Sequence, residues 1–306
     1  MRIAIMGAGG AGGCLGGLLA KANNDVSLIA RGEHLEAIRA NGLKLVRPDS
    51  EFIVQVDATD DPSEVGPVDL VLYTVKTFHN RHVITTLKPL MGEETSVITL
   101  QNGVESHELL GAVLGPGNIL PGAYWASSHI RSPGIIVEDV PARISFGELD
   151  DTESLRALDI RKVFRDAGID TEISLDPLQV LWQKFIVLSA LSSITSAART
   201  RPKELLAFPG ARKMFCEAME EALAVGLAKG VNLSDNLPME SLLWIDSLPE
   251  FQVSMHGDFE AGRATELDAL SGAVIRLGKQ IGVKTPVHEF LYSVLLPHKD
   301  GRPSED

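Results

Sequence analysis

The sequence predicts an α/β N-terminal domain built on a doubly wound parallel sheet, followed by an all-α C-terminal domain. Strand-like and helical segments alternate over the first hundred residues, and almost every segment after Asp176 has a helical pattern. The chain has 306 residues, and single hydrophobic cores stop growing at about 250 to 300 residues. We therefore predict two domains, residues 1–175 and residues 176–306.

The elements of the first domain follow from short apolar runs separated by glycine-rich or polar turns. Residues 2–6 and 25–30 have the pattern of buried strands that enclose a helix at residues 14–22, which makes one βαβ unit. Further strands are predicted at 68–75 and 96–100, with helical stretches at 79–87 and 106–113. Strands at 134–139, 142–147 and 171–173, with a helix at 152–167, are interpreted as antiparallel additions that close this domain.

Composition excludes several classes of protein. The formal net charge of −13 repels nucleic acid and anionic membrane surfaces, so neither is an expected partner. Residues 178–198 form a long apolar stretch, but its glutamines, serines and lysine are too polar for a lipid-exposed span, and no membrane segment is expected. Two cysteines give no disulfide framework, which favours the reducing cytoplasm. We expect any disorder to be confined to the tail at residues 299–306.

A glycine-rich loop between the first strand and the first helix predicts a dinucleotide site. Gly7, Gly9 and Gly12 form a G-x-G-x-x-G motif, and the backbone of the intervening Gly10 and Ala11 lies at the helix start, where phosphate binds. The first glycine allows the turn, the second lets the pyrophosphate approach, and the third lets helix and strand pack closely. The alternative is a glycine-rich turn without a ligand. The context favours a Rossmann-type cofactor domain.

Arg31 follows the second strand, at the position where an acidic residue selects NAD by binding the ribose hydroxyl. A guanidinium there offers several donors to a 2′-phosphate, so NADP(H) is the predicted cofactor. The alternative reading is a solvated surface arginine.

The C-terminal half contains two segments with chemical potential. Lys184 has apolar neighbours three and four residues away on a helix, and desolvation lowers the pKa of a lysine, which suits a general acid. A snorkelling surface lysine is the alternative. Residues 254–281 are predicted to form one long helix that bears many polar groups. Among them, Glu266 is a candidate to bind substrate or to hold Lys184. For any acidic residue in this helix, the alternative is a position on a solvated helix face.

Six segments in this order resemble ketopantoate reductases (2-dehydropantoate 2-reductases), over essentially the whole chain. They are the glycine loop with Arg31, Thr74-Val75-Lys76, Gln101-Asn102-Gly103, Leu181-Trp182-Gln183-Lys184, the pattern from Ser254 to Asp268, and Gly282-x-x-x-Pro286. The resemblance implies a 6-phosphogluconate-dehydrogenase-like helical domain. It also implies that Lys184 is the proton donor, that Glu266 contacts substrate, that Ser254 binds the substrate carboxylate, that Asn102 lies beside nicotinamide and substrate, and that Lys76 lies near the cofactor.

The sequence departs from the family pattern after the lysine. The family commonly has asparagines four and eight residues further along, and this chain has Leu188 and Ser192, of which Ser192 stays a candidate substrate ligand. Losing an amide removes a substrate hydrogen bond and its discrimination. The predicted reaction is therefore NADPH-dependent reduction of a small 2-keto acid, either 2-dehydropantoate, for pantothenate synthesis, or a more apolar acid.

Two further interpretations of the function stay open. A 3-hydroxyacid or opine-type dehydrogenase has the same two-domain plan, although Arg31 and the pair Lys184 and Glu266 disfavour it. A non-catalytic NADP-binding regulator would need no lysine in an apolar helix. Metal dependence is not expected, because His79 and His82 lack a third plausible ligand. A homodimer through the helical domain is a possible assembly.

Overall fold

The computed structural model describes residues 1–302, which divide into two compact units. The N-terminal unit comprises Met1–Gln101 and Glu105–Pro177, and the C-terminal unit comprises Asn102–Val104 and the residues from Leu178 onward. Asn102–Val104 therefore belongs to the C-terminal unit although the residues on both sides of it in sequence belong to the other.

The N-terminal unit is organised around a single sheet of ten strands. The strands are β1 (Arg2–Met6), β2 (Asp25–Ile29), β3 (Leu43–Arg47), β4 (Ser50–Val54), β5 (Asp57–Thr59), β6 (Val68–Tyr73), β7 (Met91–Thr99), β8 (Ile119–Ser132), β9 (Ile135–Phe146) and β10 (Asp170–Ile173).

Strand order explains where a ligand would bind in this unit. The order is β4-β3-β9-β8-β7-β6-β1-β2-β5, with β10 paired to β9. All pairings from β8 to β5 are parallel. The order in which strands are added to the sheet reverses between β1 and β6, since β2 and β5 lie on one side of β1, and β6, β7 and β8 lie on the other. The carboxyl ends of β1 and β6 are therefore the topological switch point, where doubly wound sheets bind ligands. The predicted Rossmann-type α/β fold is confirmed.

Both faces of this sheet are covered, because successive side chains of a strand point to opposite faces. Ile3 and Ile5 belong to one buried cluster, and Ala4 and Met6 belong to the other. The helices of this unit are α1 (Gly10–Lys21), α2 (Gly32–Asn41), α3 (Asn80–Val83), α4 (Ser106–Leu114) and α5 (Leu155–Asp166). Short 3-10 helices are Pro62–Glu64, Thr77–His79, Ile84–Leu90 and Pro116–Asn118.

The C-terminal unit is helical, as predicted. Its helices are α6 (Pro177–Ala198), which starts at the last residue of the other unit, α7 (Pro202–Leu206), α8 (Pro209–Ala228), α9 (Leu237–Ser247), α10 (Ser254–Glu260), α11 (Ser271–Ile281) and α12 (Pro286–Leu295), with 3-10 turns at Leu267–Ala269 and Leu296–His298. Helices α6 and α8 pack closely at Gly226, where a Cβ would lie 2.9 Å from the Trp182 ring.

Helix α6 is the most apolar long helix of the described chain. By length and composition alone it could cross a membrane, and 67% of its apolar window is buried by the rest of the protein. Burial of this extent is typical of a core helix in a globular protein.

The prediction of one long helix over residues 254–281 is wrong. Helix α10 ends at Glu260, and Gly262 follows in the left-handed conformation with φ +67°. The Arg263 backbone N–H then bonds back to the Asp258 carbonyl at 2.8 Å, which is the geometry that terminates helices at glycine. The Arg263 guanidinium also contacts the Asp258 carboxylate at 2.9 Å. A new helix, α11, begins only at Ser271.

Other differences are smaller. Helix α1 starts at Gly10, four residues before the predicted start, so Gly9 is its N-cap and Gly12 lies within its first turn. Strand β9 is continuous over both segments predicted at 134–147, and β10 pairs with it in parallel rather than antiparallel. Strands β3, β4 and β5 were not predicted. Of the tail at residues 299–306, Lys299 and Arg302 make backbone hydrogen bonds with the segment before Glu266, and residues 303–306 lie outside the described residues.

Candidate functional site

The glycine loop is fixed by hydrogen bonds to each of its first three carbonyl groups. The Thr74 hydroxyl donates to the Gly7 carbonyl at 2.9 Å, and the His34 ring contacts the Ala8 carbonyl at 2.9 Å. The Gly9 carbonyl accepts from the Gly13 N–H at 2.7 Å within α1. Because all three peptide groups are held, the loop presents a defined backbone surface.

The glycines of this loop have different reasons to lack a side chain. Gly7 has φ +103°, and a Cβ on Gly12 would lie 2.2 Å from the Gly7 carbonyl, so both are required by the fold. A Cβ on Gly9 would meet nothing within 4 Å. Since packing does not explain Gly9, the open space beside it fits the close approach of a pyrophosphate.

The start of α1 has no competing anion of its own. Its N-cap is Gly9, which supplies no side-chain cap, and its first turn contains no acidic residue. The first backbone N–H groups of a helix lack intrahelical partners and attract negative charge. Gly10, Ala11 and Gly12 therefore fit a bound phosphate group.

Two basic residues of the cofactor prediction lie in the N-terminal unit, Arg31 after β2 and Lys76 after β6. Arg31 is exposed and is the N-cap of α2. Burial lowers the pKa of His79, and the positive charge of Arg31 lowers it further. Lys76 is half-buried and precedes the Thr77–His79 turn. These cationic groups fit a phosphorylated ligand with negative charge.

In the C-terminal unit, three of the predicted residues form one hydrogen-bonded chain. The Lys184 ammonium donates to Asn102 Oδ1 at 3.0 Å, and Asn102 Nδ2 donates to Glu266 Oε2 at 3.0 Å. The two partners fix the amide orientation, because a flipped amide would place its NH₂ against the ammonium. Asn102 therefore lies between the cation and the anion as a polar bridge.

Each member of this chain is positioned by local structure. Lys184 projects from α6, the long core helix. Asn102 precedes Gly103, which has φ +93° and packs against the turn after Glu266, where a Cβ would lie 3.0 Å from the Ala269 carbonyl. Glu266 is 5% exposed, and its carbonyl accepts from the Ala269 and Leu270 N–H groups.

The C-terminal segment contacts residues on both sides of Glu266 in the sequence. The Lys299 carbonyl accepts from the Thr265 N–H at 2.7 Å. The Lys299 ammonium donates to Asp268 at 2.8 Å, and the Tyr292 hydroxyl donates to the same carboxylate at 2.7 Å. One lysine thus fixes the residue before Glu266 through its backbone and the residue two positions after it through its side chain.

Burial sets the acidity of Lys184. Desolvation of the ammonium lowers the pKa of Lys184 to about 8, and the charge of the Glu266 carboxylate opposes that change. At pH 7 about nine in ten such lysines are protonated, and an acid with this pKa loses its proton readily near neutral pH. The arrangement can therefore deliver a proton to a bound ligand.

The other two predicted substrate ligands, Ser254 and Ser192, differ in burial. Ser254 is exposed and is the first residue of α10. Ser192, two turns after Lys184 on α6, is fully buried, and its Oγ has no hydrogen-bond partner among residues 1–302. Leu188, one turn after Lys184 on the same face, is half-buried.

Several contributing residues were missed by sequence reasoning. Thr74 was noted only for family resemblance, Lys299 was noted only as the first residue of the tail, and His34 was not noted at all. Each acts through a contact with a backbone group or side chain more than 20 positions away. No local pattern announces such a contact. Among the described residues, no group of three or more His, Cys, Asp or Glu side chains could hold a metal ion.

Comparison with known proteins places this geometry in a family. The family model described as "Ketopantoate reductase PanE/ApbA" matches residues 3–151, and the model described as "Ketopantoate reductase PanE/ApbA C terminal" matches residues 176–299. The 2-dehydropantoate 2-reductase of Mesorhizobium japonicum is 32% identical over 94% of both chains.

Solved structures agree. The 2-dehydropantoate 2-reductase of Geobacter metallireducens is 31% identical, with a TM-score of 0.92 over 97% of this chain and 99% of its own. A D-mandelate dehydrogenase solved with NADH and anilino(oxo)acetate has a TM-score of 0.90 at 24% identity, with 98% of each chain covered; this likeness concerns the fold alone.

These matches show the class of the protein, which is that of the oxidoreductases that act on CH–OH groups. More narrowly, the chain belongs to the ketopantoate reductase family, as the resemblance of its six segments predicted.

Proposed function

We propose that this protein reduces 2-dehydropantoate to pantoate with NADPH, the step that serves pantothenate synthesis. The observation that supports it best is the chain Lys184–Asn102–Glu266, in which a desolvated lysine with a pKa of about 8 is bridged to a buried carboxylate. The names of the relatives agree with this substrate.

The residues of the C-terminal unit supply the acid chemistry in this proposal. Lys184 gives its proton to the alkoxide that develops on the former keto oxygen. Asn102 holds one N–H of the ammonium, which restricts the directions in which the others point. Glu266 keeps the lysine protonated before the reaction, because its negative charge favours the ammonium form. Ser254 is the proposed ligand of the substrate carboxylate.

The N-terminal unit is the proposed cofactor domain. When bound, the reduced nicotinamide supplies a hydride to the keto carbon. The helix start at Gly10, Ala11 and Gly12 would hold the pyrophosphate beside Gly9, and Arg31 would bind the 2′-phosphate of NADP(H). Lys76 would add positive charge near the bound cofactor.

One observation favours a second substrate class. Leu188 replaces a polar group beside Lys184 with a half-buried apolar one, and this disfavours a substrate that carries a hydroxyl at that place. A more apolar 2-keto acid is therefore the alternative substrate. Ser192 fits either acid, because an unpaired buried hydroxyl costs about 1–3 kcal/mol and a polar ligand group reaching it would remove that cost.

The test is NADPH oxidation with 2-dehydropantoate and with a panel of apolar 2-keto acids, for wild type, Lys184→Ala and Lys213→Ala. Lys213 is an exposed lysine paired with Glu217, so its variant controls for loss of one positive charge. We expect loss of general acid catalysis to reduce kcat by about 10²- to 10⁴-fold in Lys184→Ala alone.

Each outcome decides between the alternatives. Turnover of 2-dehydropantoate that collapses only in Lys184→Ala supports the proposal. Turnover of another 2-keto acid in its place supports the apolar alternative. NADPH oxidation with none of these acids contradicts both.

A further inference from the structure

The half-buried ring of His34 forms a bridge between three segments of the N-terminal unit. His34 is in the first turn of α2, three residues after Arg31. Its Nε2 lies 2.9 Å from the Ala8 carbonyl in the glycine loop, and its Nδ1 lies 3.0 Å from the Gly134 N–H in the turn between β8 and β9. One side chain thus contacts two loops that are distant in sequence.

The partners determine the protonation state of the ring. The Ala8 carbonyl only accepts hydrogen bonds, so Nε2 carries the hydrogen, and the Gly134 N–H only donates, so Nδ1 is bare. The ring is therefore the neutral tautomer protonated on Nε2. Burial keeps the pKa of His34 below its usual value, which agrees with this assignment.

The bridge is supported by tight backbone packing at its second end. Gly134 has φ +76°, and a Cβ there would lie 3.1 Å from the Cβ of Ala37 in α2. On the other side of the loop, a Cβ on Gly10 would lie 2.3 Å from the Ser128 carbonyl in β8. The loop therefore lies between β8 and a side chain that α2 provides.

We infer that His34 is a positioning residue that fixes the spacing between Arg31 and the glycine loop. This inference rests on the proposed cofactor site, where Arg31 binds the 2′-phosphate and the loop binds the pyrophosphate. The covalent structure of NADP(H) limits the distance between those two groups. A rigid connection between their binding groups removes the cost of ordering them when the cofactor binds.

The substitution that tests this is His34→Leu, which removes both hydrogen bonds at similar volume. His34→Gln is the conservative control, because its amide has one donor and one acceptor end. We measure the Kd of NADP⁺ by calorimetry and the Kd of adenosine 2′-monophosphate by NMR titration. The second ligand has the 2′-phosphate but no pyrophosphate, so it does not span the two binding groups.

We expect His34→Leu to weaken NADP⁺ binding by about tenfold or more, since two hydrogen bonds that order the site are lost. Binding of adenosine 2′-monophosphate should change by less than about twofold, and His34→Gln should restore most of the affinity for NADP⁺. Thermal unfolding without ligand checks that each variant is folded. If His34→Leu does not fold, His34→Asn replaces it, because the shorter amide reaches one partner only.

Two results would overturn the inference. One is unchanged NADP⁺ affinity in a folded His34→Leu protein. The other is equal weakening of both ligands, which would mean that the ring supports the fold and not the spacing. Failure of the wild-type protein to bind NADP⁺ would contradict the proposed cofactor instead, so the two failures are distinguishable.

Discussion

The charge of Glu266 should set the pH at which the reaction slows. In the proposed mechanism, reduction needs protonated Lys184, so kcat/KM should fall as the pH rises above the lysine pKa of about 8. In Glu266→Gln the opposing carboxylate charge is absent, and the pKa should be lower. The variant should therefore lose activity at a lower pH than wild type does.

The structure gives the size of this change. Two hydrogen bonds of 3.0 Å and the width of the Asn102 amide join the ammonium to the carboxylate, so the two charges lie no more than about 8 Å apart. At an effective dielectric constant of about 20, that separation corresponds to about 2 kcal/mol. Since about 1.4 kcal/mol corresponds to one pH unit, the midpoint should fall by between about one and two pH units.

The assay is the pH dependence of kcat/KM at constant ionic strength, between pH 5 and 10, for wild type, Glu266→Gln and Glu240→Gln. Glu240 is an exposed carboxylate in α9, so its variant removes the same charge at a distance. A Glu266→Gln profile that coincides with wild type, or one displaced to higher pH, would refute the electrostatic reasoning.

Three further predictions concern the two units separately. Gly9→Ala should keep its thermal stability but bind NADP⁺ at least about tenfold more weakly, because a Cβ at Gly9 meets only open space. Gly12→Ala should unfold at lower temperature, because a Cβ at Gly12 would lie 2.2 Å from the Gly7 carbonyl. Equal melting temperatures of the two variants would contradict this. Lys299→Met should lower kcat by up to about fivefold, since the partly exposed ion pair of Lys299 with Asp268 contributes up to about 1 kcal/mol. Lys299→Arg should recover most of the lost kcat. A kcat equal to wild type in Lys299→Met would exclude a positioning role for Lys299. Burial lowers the pKa of the His288 ring to about 4. Between pH 7 and pH 5 the unfolded chain therefore takes up a proton at His288 and the folded chain does not, so the free energy of unfolding should fall by about 2 kcal/mol. Urea unfolding at both pH values, with His288→Gln as the reference, measures this loss, and an equal loss in both proteins would count against it.

Much of the fold followed from local pattern. The alternation of strands and helices and the glycine loop predicted the parallel sheet, because these signals lie within one βαβ unit. Strand β4 was missed because its side chains are exposed or half-buried, which weakens the apolar signal. Strand β3 was missed because only two of its five residues, Leu43 and Leu45, are buried, and so short a pattern is a weak signal. The break at Gly262 was missed because one glycine is tolerated in many helices, and because part of the turn is held by distant residues, Lys299 and Arg302.

The candidate site was predicted by residue type more than by geometry. Lys184 stood out by its apolar helix, while Glu266 and Asn102 depended mainly on family resemblance. Asn102 is 82 positions from Lys184 and 164 from Glu266, so its place between the two charges could not be read from the sequence. The roles of these residues stay predictions until the variants are measured.

The bare start of α1 has a practical consequence for enzymology. A helix end without a capping side chain or an acidic first turn attracts small anions in general. Inorganic phosphate or sulfate in a buffer would compete for the same backbone N–H groups as the dinucleotide. Apparent cofactor affinities should therefore depend on the buffer anion, and values obtained in phosphate should be weaker than values obtained in a bulky zwitterionic buffer of equal ionic strength.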